Sequence, residues 1–324
     1  YILVCCKKQD KVLPAAAVNE ALEEKVGEIQ QQEARKVGRK ERQQLKDDII
    51  MTMLPRALNH MAVPALGWAG FLDLAAGLGC VGVEFRNDLD GPLFCGDAPE
   101  AVAAGAEARG LRILALAEVK AFNDWTDGKR AEAAALIKIA QACGAEAVSL
   151  IPRNDGIRCG KVERLADLRV ALEGLAPMLR AAGLKGLVEP LGFETCPVRY
   201  KAEVIDVIEA LDARGTFQIV HDTFHHTLAG GGEIFPEHTG IVHISGVTDP
   251  DVALRDMHDG HRVLVDGQDR LGNITQLQNL QDAGYRGPIS FEPFAASVHA
   301  ITDPGKALSG SFQFISTALA DMAA

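Results

Sequence analysis

Four short apolar runs in this sequence each end in a side chain that metal ions favour. The run ends are Glu189, Asp222, His243 and Glu292. Three carboxylates and one imidazole can bind a divalent cation, and glutamates beside such a cation can also move protons. The pattern therefore predicts a divalent-metal centre, provided that the fold brings the four run ends together.

An alternation of strand-like and helix-like segments from residue 58 onward supplies such a fold. Strands are predicted at residues 58–63, 81–86, 111–118 and 147–152 and at the four runs 186–189, 218–222, 241–243 and 289–292. Helices are predicted at residues 68–78, 99–109, 130–143 and 162–182, three of them closed by Gly110, Gly144 or Gly183. Eight such units favour a (β/α)8 TIM barrel, class α/β, whose strand ends meet at one rim. No Gly-x-Gly-x-x-Gly follows an early strand, which argues against a dinucleotide fold.

Composition points to a soluble, cytoplasmic enzyme. The 324 residues are 48% hydrophobic, enough for a large core, and no apolar stretch reaches the roughly 20 residues of a membrane span. The seven cysteines include no Cys-x-x-Cys pair, which argues against a zinc knuckle and a disulfide framework. A reducing cytoplasm is the expected location.

Charge divides the chain into two parts. Residues 1–57 carry 11 basic and 9 acidic side chains, whereas the remainder carries 22 and 35, a net charge of −13. We predict a mostly helical N-terminal segment over residues 1–57 and a barrel over residues 58–324. The acidic barrel argues against nucleic acid as a partner. The nucleic-acid candidates are confined to Arg35, Lys36, Arg39, Lys40 and Arg42, which a solvated helical arm would also explain.

Each predicted ligand has an ordinary alternative. Glu189 and Glu292 are the kind of carboxylate that anchors a loop or forms a buried ion pair. Asp222 could cap the helix that follows it, and His243 could be a hydrogen-bonded core histidine. Four such accidents at the ends of strands five to eight would have to coincide, so the joint pattern favours the metal site. Eight of the nine histidines also lie between residues 221 and 299, which strengthens the expectation of a site there.

The first 57 residues resemble an internal piece of the recombination-associated protein RdgC. The resemblance rests on Ile2-Leu-Val-Cys-Cys-Lys-Lys8, Val12-Leu-Pro14, Asn19-Glu-Ala-Leu-Glu-Glu-Lys25, and a run from Gly38 to Arg56. That family forms a ring-shaped, DNA-binding dimer. Because the match stops abruptly, we interpret the segment as a fusion remnant with little function of its own.

Residues 58–324 resemble the xylose-isomerase-like barrels of sugar isomerases and epimerases, which include inosose isomerases, inosose dehydratases and ketose 3-epimerases. The matching motifs are Leu187-Val-Glu-Pro190, Val220-His-Asp-Thr-Phe-His225, Val242-His-Ile-Ser245, His261-Arg262 and Gly284-Tyr-Arg-Gly287 before Ile289-Ser-Phe-Glu-Pro293. The resemblance implies that Glu189, Asp222, His243 and Glu292 bind the metal. It also implies that His225 and Arg262 bind substrate. Where relatives often continue His-Ile-Ser with Asp, this chain has Gly246, with Asp249 three residues further.

These residue types imply a specific chemistry. A hydroxy-ketone bound to the cation has a polarised carbonyl, which eases removal of the neighbouring C–H proton. Glu189 and Glu292 would take and return that proton through a metal-stabilised enediolate, giving epimerisation or isomerisation. Loss of a β-hydroxyl from the same intermediate would give dehydration. Mn²⁺ is the first choice of metal, with Co²⁺, Mg²⁺ and Zn²⁺ as alternatives.

Other readings of the chain remain open. A metal-dependent hydrolase or endonuclease of the same superfamily would use similar ligands, and a DNA-associated protein would depend on the N-terminal segment. The substrate is expected to be a small sugar or cyclitol, its phosphorylation state is open, and a homo-oligomer is compatible with the sequence. Further pocket candidates near strands one to three are Asn59, His60, Glu84, Arg86, Asn87 and Glu118.

Overall fold

Eight parallel strands close into a barrel in the computed structural model, which describes residues 54–157 and 160–323. The strands are β1 (Arg56–Asn59), β2 (Gly82–Arg86), β3 (Arg112–Lys120), β4 (Ala147–Ile151), β5 (Lys185–Val188), β6 (Phe217–Asp222), β7 (Thr239–Ile244) and β8 (Ile289–Phe291). They pair in chain order, and β8 pairs with β1 to complete the ring. The predicted TIM barrel is therefore confirmed.

Helices follow the strands around the outside of the barrel. They are α1 (Trp68–Gly77), α2 (Pro99–Glu107), α3 (Asp127–Ala142), α4 (Lys161–Ala182), α5 (Lys201–Ala210), α6 (Thr223–Leu228), α7 (Asn273–Asp282), α8 (Ala296–His299) and α9 (Pro304–Ala323). Gly183 ends α4 in the left-handed conformation, with φ of 71°, as its sequence position predicts. Along the described part of the chain, no helix combines the length and apolar composition needed to cross a membrane.

Two layers of apolar side chains hold the barrel together. The larger layer lies between strands and helices and includes Leu58, Phe85, Leu172 and Phe291. A smaller group is formed by Ala57, Leu114, Ala115, Ala147, Leu187, Val220 and Ile241, which come from strands β1 and β3 to β7. Because strand side chains alternate in direction, this second group fills the barrel interior.

The first strand is shorter than predicted. It covers Arg56–Asn59 rather than residues 58–63, and residues His60–Ala62 form a 3-10 turn. The Asn59 side chain accepts a hydrogen bond from the Met61 amide at 3.0 Å, which turns the chain out of the sheet. The apolar residues after Asn59 are buried without being paired, so their hydrophobicity gave a false strand signal. The predicted helical segment before residue 54, with its basic side chains, lies outside the described residues.

Candidate metal centre and substrate pocket

The four predicted ligands lie at the carboxyl ends of β5, β6, β7 and β8. Asp222 pairs directly with His243 in the register of β6 and β7. Glu189 and Glu292 each stand one residue beyond a strand. Their amides donate to Leu150 and Ile244, which keeps both residues in line with the neighbouring strand.

The four side chains converge on one point. Each offers a ligand atom within 4.8 Å of the others, and all four residues are buried. The Nδ1 atom of His243 lies 3.2 Å from an oxygen of Glu292 and 3.7 Å from an oxygen of Glu189. Three carboxylates this close repel one another unless positive charge lies among them, and a divalent cation would supply it.

The ring of His243 is oriented by a carboxylate on the opposite side of the barrel. Its Nε2 donates to Glu84 Oε2 at 3.0 Å, and within the described residues its buried Nδ1 has no hydrogen-bond partner. Glu84 is itself held by Ser290, whose hydroxyl donates at 2.6 Å, and by the amide of Asn59 at 3.5 Å. A histidine fixed in this way presents its second nitrogen as a metal ligand. The residues present therefore fit a divalent cation.

Asp222 serves two roles at once. One of its oxygens accepts from the amide of His225 at 2.9 Å and caps α6, as the ordinary alternative expected. The other oxygen lies 2.5 Å from Nη2 of Arg262. The cap and the site are thus compatible, because a carboxylate has two oxygens and the cap uses only one.

Two buried arginines hold Glu292. Arg86 donates to its Oε1 at 2.6 Å, and Arg262 donates to its Oε2 at 3.0 Å. Arg262 is fixed in turn by Ser245 at 2.9 Å and lies against the rings of Phe224 and Phe294. A fully buried guanidinium with this many partners is part of the site's framework and not a mobile surface group.

These surroundings shift the pKa values of Glu189 and Glu292 in opposite directions. Burial, followed by the charge of Glu292, raises the pKa of Glu189. Burial alone would also raise the pKa of Glu292, but His243 and the two arginines outweigh it and hold that pKa well below its usual range. Burial opposes the charged form of His243, yet the carboxylates of Glu292, Glu84 and Glu189 raise its pKa well above the ordinary value.

A cavity of about 730 Å³ opens beside the ligand cluster, and two of the four ligands, Glu189 and Glu292, line it. Its lining includes Glu189, Glu292, His225, Arg262 and Phe193. His225 Nε2 lies 3.8 Å from Glu189, and within the described residues its buried Nδ1 has no hydrogen-bond partner. A polyhydroxy ligand could satisfy such a nitrogen, since its hydroxyls both donate and accept.

The secondary pocket candidates divide into two groups. Asn59, Glu84 and Arg86 belong to the network around the ligands, while Glu118 lines the cavity and Asn87 donates to its carbonyl. Desolvation raises the pKa of Glu118 to about 7. His60 is not at the site, because its ring stacks on Phe71 with centroids 4.2 Å apart. The sequence named these residues without separating the two groups, since their contacts join strands far apart in the chain.

The crowding of histidines is only partly explained by the site. Of the eight histidines between residues 221 and 299, His225 and His243 belong to the cavity and the ligand cluster. His221 and His226 contact Lys201, and His238 contacts Glu209. The histidine-rich region is therefore not one functional surface.

The departure at Gly246 has a steric cause. Gly246 exchanges both backbone hydrogen bonds with Val263, at 2.7 and 2.8 Å. A Cβ atom at this position would lie 2.8 Å from the carbonyl oxygen of Leu264, so a larger residue does not fit. Asp249 is exposed and accepts from the amide of Asp251, so it does not replace the missing aspartate.

Comparisons with known proteins agree with the barrel. A family model described as "Xylose isomerase-like TIM barrel" matches residues 72–317. A xylose isomerase domain containing protein from Salmonella typhimurium is 28% identical, with a TM-score of 0.74 over 82% of this chain and 97% of that one. The IolI protein, solved with a zinc atom bound, is 18% identical, with a TM-score of 0.71 over 83% of this chain and 97% of that one. D-psicose 3-epimerase from Clostridium cellulolyticum is 16% identical, with a TM-score of 0.63 over 82% and 99%.

The N-terminal part matches a different family. Residues 1–66 fit the RdgC family model, as the sequence motifs predict. The recombination-associated protein RdgC of Pseudomonas paraeruginosa is 53% identical over 57 residues, which are 18% of this chain. The chain spans only 19% of the length of that relative, so the match covers a fragment.

Proposed function

From the premise that this chain belongs to the xylose isomerase-like TIM barrel family, we propose that it is a divalent-metal-dependent isomerase or epimerase of a ketose, inosose or related polyhydroxy carbonyl compound. One observation carries the proposal. Two buried glutamates, whose surroundings shift their pKa values in opposite directions, line a cavity and have ligand atoms within 4.8 Å of those of an aspartate and a histidine. Two neighbouring carboxyl groups whose pKa values differ in this way are suited to acid and base roles.

The four side chains would hold the cation, with Mn²⁺ as the first choice and Co²⁺, Mg²⁺ or Zn²⁺ as alternatives. Such an ion supplies positive charge that polarises a carbonyl and favours loss of the neighbouring proton. The zinc atom of the IolI structure supports a divalent ion in a barrel of this kind.

Glu189 and Glu292 are the proton-transfer residues in this proposal. Glu189 is the stronger base, because among the described residues no arginine pairs with it, whereas two pair with Glu292. Glu189 would take the proton next to the carbonyl, leaving an enediolate. Glu292, which its arginines keep ionised, would pass a proton from solvent to the enediolate, and Glu189 would then lose its own proton to solvent. Return to the opposite face of the same carbon gives an epimer, and return to the neighbouring carbon gives an isomer.

His225 and Arg262 would bind substrate oxygens. His225 lines the cavity, and its buried Nδ1 has no hydrogen-bond partner among the described residues. Arg262 lines the cavity while it holds Asp222 and Glu292 in place. Loss of a β-hydroxyl from the same intermediate would make the enzyme a dehydratase instead, and product analysis distinguishes the two outcomes.

A multinuclear hydrolase is less well supported. Such enzymes bind two or more ions, and within the described residues a single ligand group of this kind is found. Besides two arginines, its neighbours are Glu84, which bonds to His243, and His225, which lies near Glu189; they do not form a second ligand group. We therefore do not propose a hydrolytic reaction.

Solvent-deuterium exchange tests the proposal. The metal-loaded protein is incubated in D₂O with a panel of ketoses and inososes, and incorporation next to the carbonyl is followed by NMR. We expect exchange by the unchanged protein, and turnover lowered by about 10²- to 10⁴-fold in Glu189→Gln and Glu292→Gln. Glu100→Gln, an exposed position in α2, is the matched control. Absence of exchange across the whole panel by the metal-loaded protein would overturn the proposal.

A further inference from the structure

A second, smaller cavity lies beside the first on the outer side of His225. Its volume is about 180 Å³, several times the roughly 30 Å³ that one water molecule occupies. Arg199, Tyr200, Lys201, His226, Gly231 and Glu233 are among its lining residues. His225 lines both cavities, but no predicted metal ligand lines the smaller one.

Lys201 is the residue of this cavity that most needs explanation. It is 9% exposed, and among the described residues no carboxylate lies within ion-pair distance of its amine. Its Nζ contacts His221 Nδ1 at 2.7 Å and His226 Nδ1 at 2.9 Å. Because His221 Nε2 lies 3.0 Å from the side-chain amide oxygen of Gln276, which can only accept, that nitrogen carries the proton and donates it, and Nδ1 accepts from the lysine. Two of the three donors of the ammonium are used, and no carboxylate of the described residues pairs with its charge.

Two further features bring positive potential to the same space. Lys201 and Ala202, which line the cavity, begin helix α5, and the N-cap residue Tyr200 makes no side-chain cap to the first amides of this helix. The positive end of the helix dipole lies there as well. In addition, the buried Nε of Arg199 has no hydrogen-bond partner in the part of the chain that the structure describes, while its Nη2 donates to the carbonyl of Leu228 at 2.8 Å.

We propose that this cavity binds a small oxyanion, such as inorganic phosphate, sulfate or a phosphate ester. The anion would accept hydrogen bonds from Lys201, Arg199 and the first amides of α5, and it would supply the counter-charge that the lysine lacks. Glu233, the acidic residue of the lining, is exposed and therefore lies at the surface where water screens its charge. The proposal does not rest on the isomerase function, since none of these groups belongs to the metal centre.

The state of Lys201 agrees with such a site. Burial lowers the pKa of Lys201 to about 7, against a weaker opposing effect of Asp222. Without an anion the amine is therefore only partly charged at neutral pH. An anion in the cavity would favour the charged form, so anion binding and lysine protonation would support each other.

Isothermal titration calorimetry with sodium sulfate and with inorganic phosphate tests the proposal on the full chain. Lys201→Met removes the charge with little change of volume. Ala202→Asp places a carboxylate in the first turn of α5, where it favours the helix but repels an anion. We expect the affinity of both variants for sulfate to fall by at least about tenfold, while circular dichroism shows that the fold is intact. Lys138→Met, at an exposed position of α3, is the matched control and should bind as the unchanged protein does.

A second measurement identifies the source of the anion. If the site holds the phosphate of a substrate, Lys201→Met will raise KM for phosphorylated sugars and leave KM for unphosphorylated sugars unchanged. If the site holds a free anion, sulfate will still bind when the substrate cavity is saturated. Either result supports an anion site. Failure of sulfate and phosphate to bind the unchanged protein at millimolar concentration, or equal binding by Lys201→Met, would overturn it.

Discussion

The side chains of His243 and Glu84 are joined by a hydrogen bond of 3.0 Å, although 159 residues separate them in the sequence. Their strands, β7 and β2, are not neighbours in the sheet, so the bond crosses the barrel interior. It places the proton of the imidazole on Nε2 and leaves Nδ1 directed at Glu292 and Glu189. The orientation of one predicted ligand thus depends on a residue outside the ligand set.

Replacement of Glu84 should therefore weaken metal binding without removing a ligand. We expect Glu84→Gln to lower the affinity for Mn²⁺ by about 10- to 100-fold, because an amide fixes the imidazole less firmly than a carboxylate does. Competition with a chelating dye measures the affinity. Glu100→Gln on the exposed face of α2 serves as the control, and an unchanged affinity in Glu84→Gln would contradict the supporting role of Glu84.

Metal binding should release protons. The pKa of His243 is held well above its ordinary value and that of Glu189 is raised, so in the metal-free protein both groups hold their protons to higher pH than the free side chains do. A cation can bind these atoms only after the protons leave. Addition of Mn²⁺ to weakly buffered protein at about pH 7, followed with a pH indicator, should show this release. His243→Ala should release fewer protons, and no release from the unchanged protein would count against the site.

Lys201 should make the stability of the fold depend on pH. Its pKa is lowered from 10.5 to about 7, so the folded protein must carry a buried charge below pH 7. This cost is fully present there and disappears as the pH rises towards 10.5, where the unfolded chain also loses the proton. In buffer without sulfate or phosphate, we expect Lys201→Met to raise the free energy of unfolding by on the order of a few kcal/mol near pH 6.

The same comparison near pH 9 should give a smaller difference. Urea unfolding of the unchanged protein, Lys201→Met and the exposed control Lys138→Met measures both. A gain in stability of equal size at the two pH values would show that packing, and not charge, is responsible.

Gly192 should be intolerant of any side chain. A Cβ atom there would lie closer than van der Waals contact to the carbonyl oxygen of His225 and 2.7 Å from Leu228 Cβ. Since the obstacle is backbone, we expect Gly192→Ala to cost about 1–3 kcal/mol of stability and to displace His225 from the cavity wall. Gly77→Ala in α1, where a Cβ would meet no atom within 4 Å, is the control for thermal unfolding and exchange activity.

The RdgC-like segment should be dispensable for the barrel. All eight strands and all four predicted ligands lie from Arg56 onward, and the core includes Leu54. Deletion of residues 1–50 keeps that leucine, and we expect unchanged Mn²⁺ affinity and deuterium exchange. Loss of either property in a deletion variant that is still folded would show that the segment contributes to the site.

The ends of β5 to β8 could be predicted from the sequence because each joins an apolar run to one polar residue that has a chemical use. The end of β1 could not, since Asn59 stops the strand through a side-chain bond to Met61 while the following residues stay buried. From the sequence, β3 is predicted to end at Glu118, whereas in the structure the strand continues to Lys120. Local hydrophobicity reports burial, and burial does not require strand pairing.

The residues that support the ligands were harder to predict for a different reason. Glu84 and Arg86 are of the residue types that commonly form buried ion pairs, so nothing in the sequence marks them as parts of a site. Their roles arise from contacts with His243 and Glu292, which lie 159 and 206 residues away. Such contacts follow from barrel closure and leave no mark in local spacing. Lys201 could not be predicted from the sequence, because it lies in no recognisable motif and its partners in the fold are neutral histidines, not a carboxylate.

Because β8 pairs with β1, the ligands and the residues that orient them come from different halves of the chain. All four predicted ligands belong to β5–β8, whereas Asn59, Glu84 and Arg86 belong to β1 and β2. A chain cut in the loop after β4 would therefore put every ligand on one fragment and three of the groups that orient them on the other. Cation affinity would then measure how faithfully the fragments reassemble.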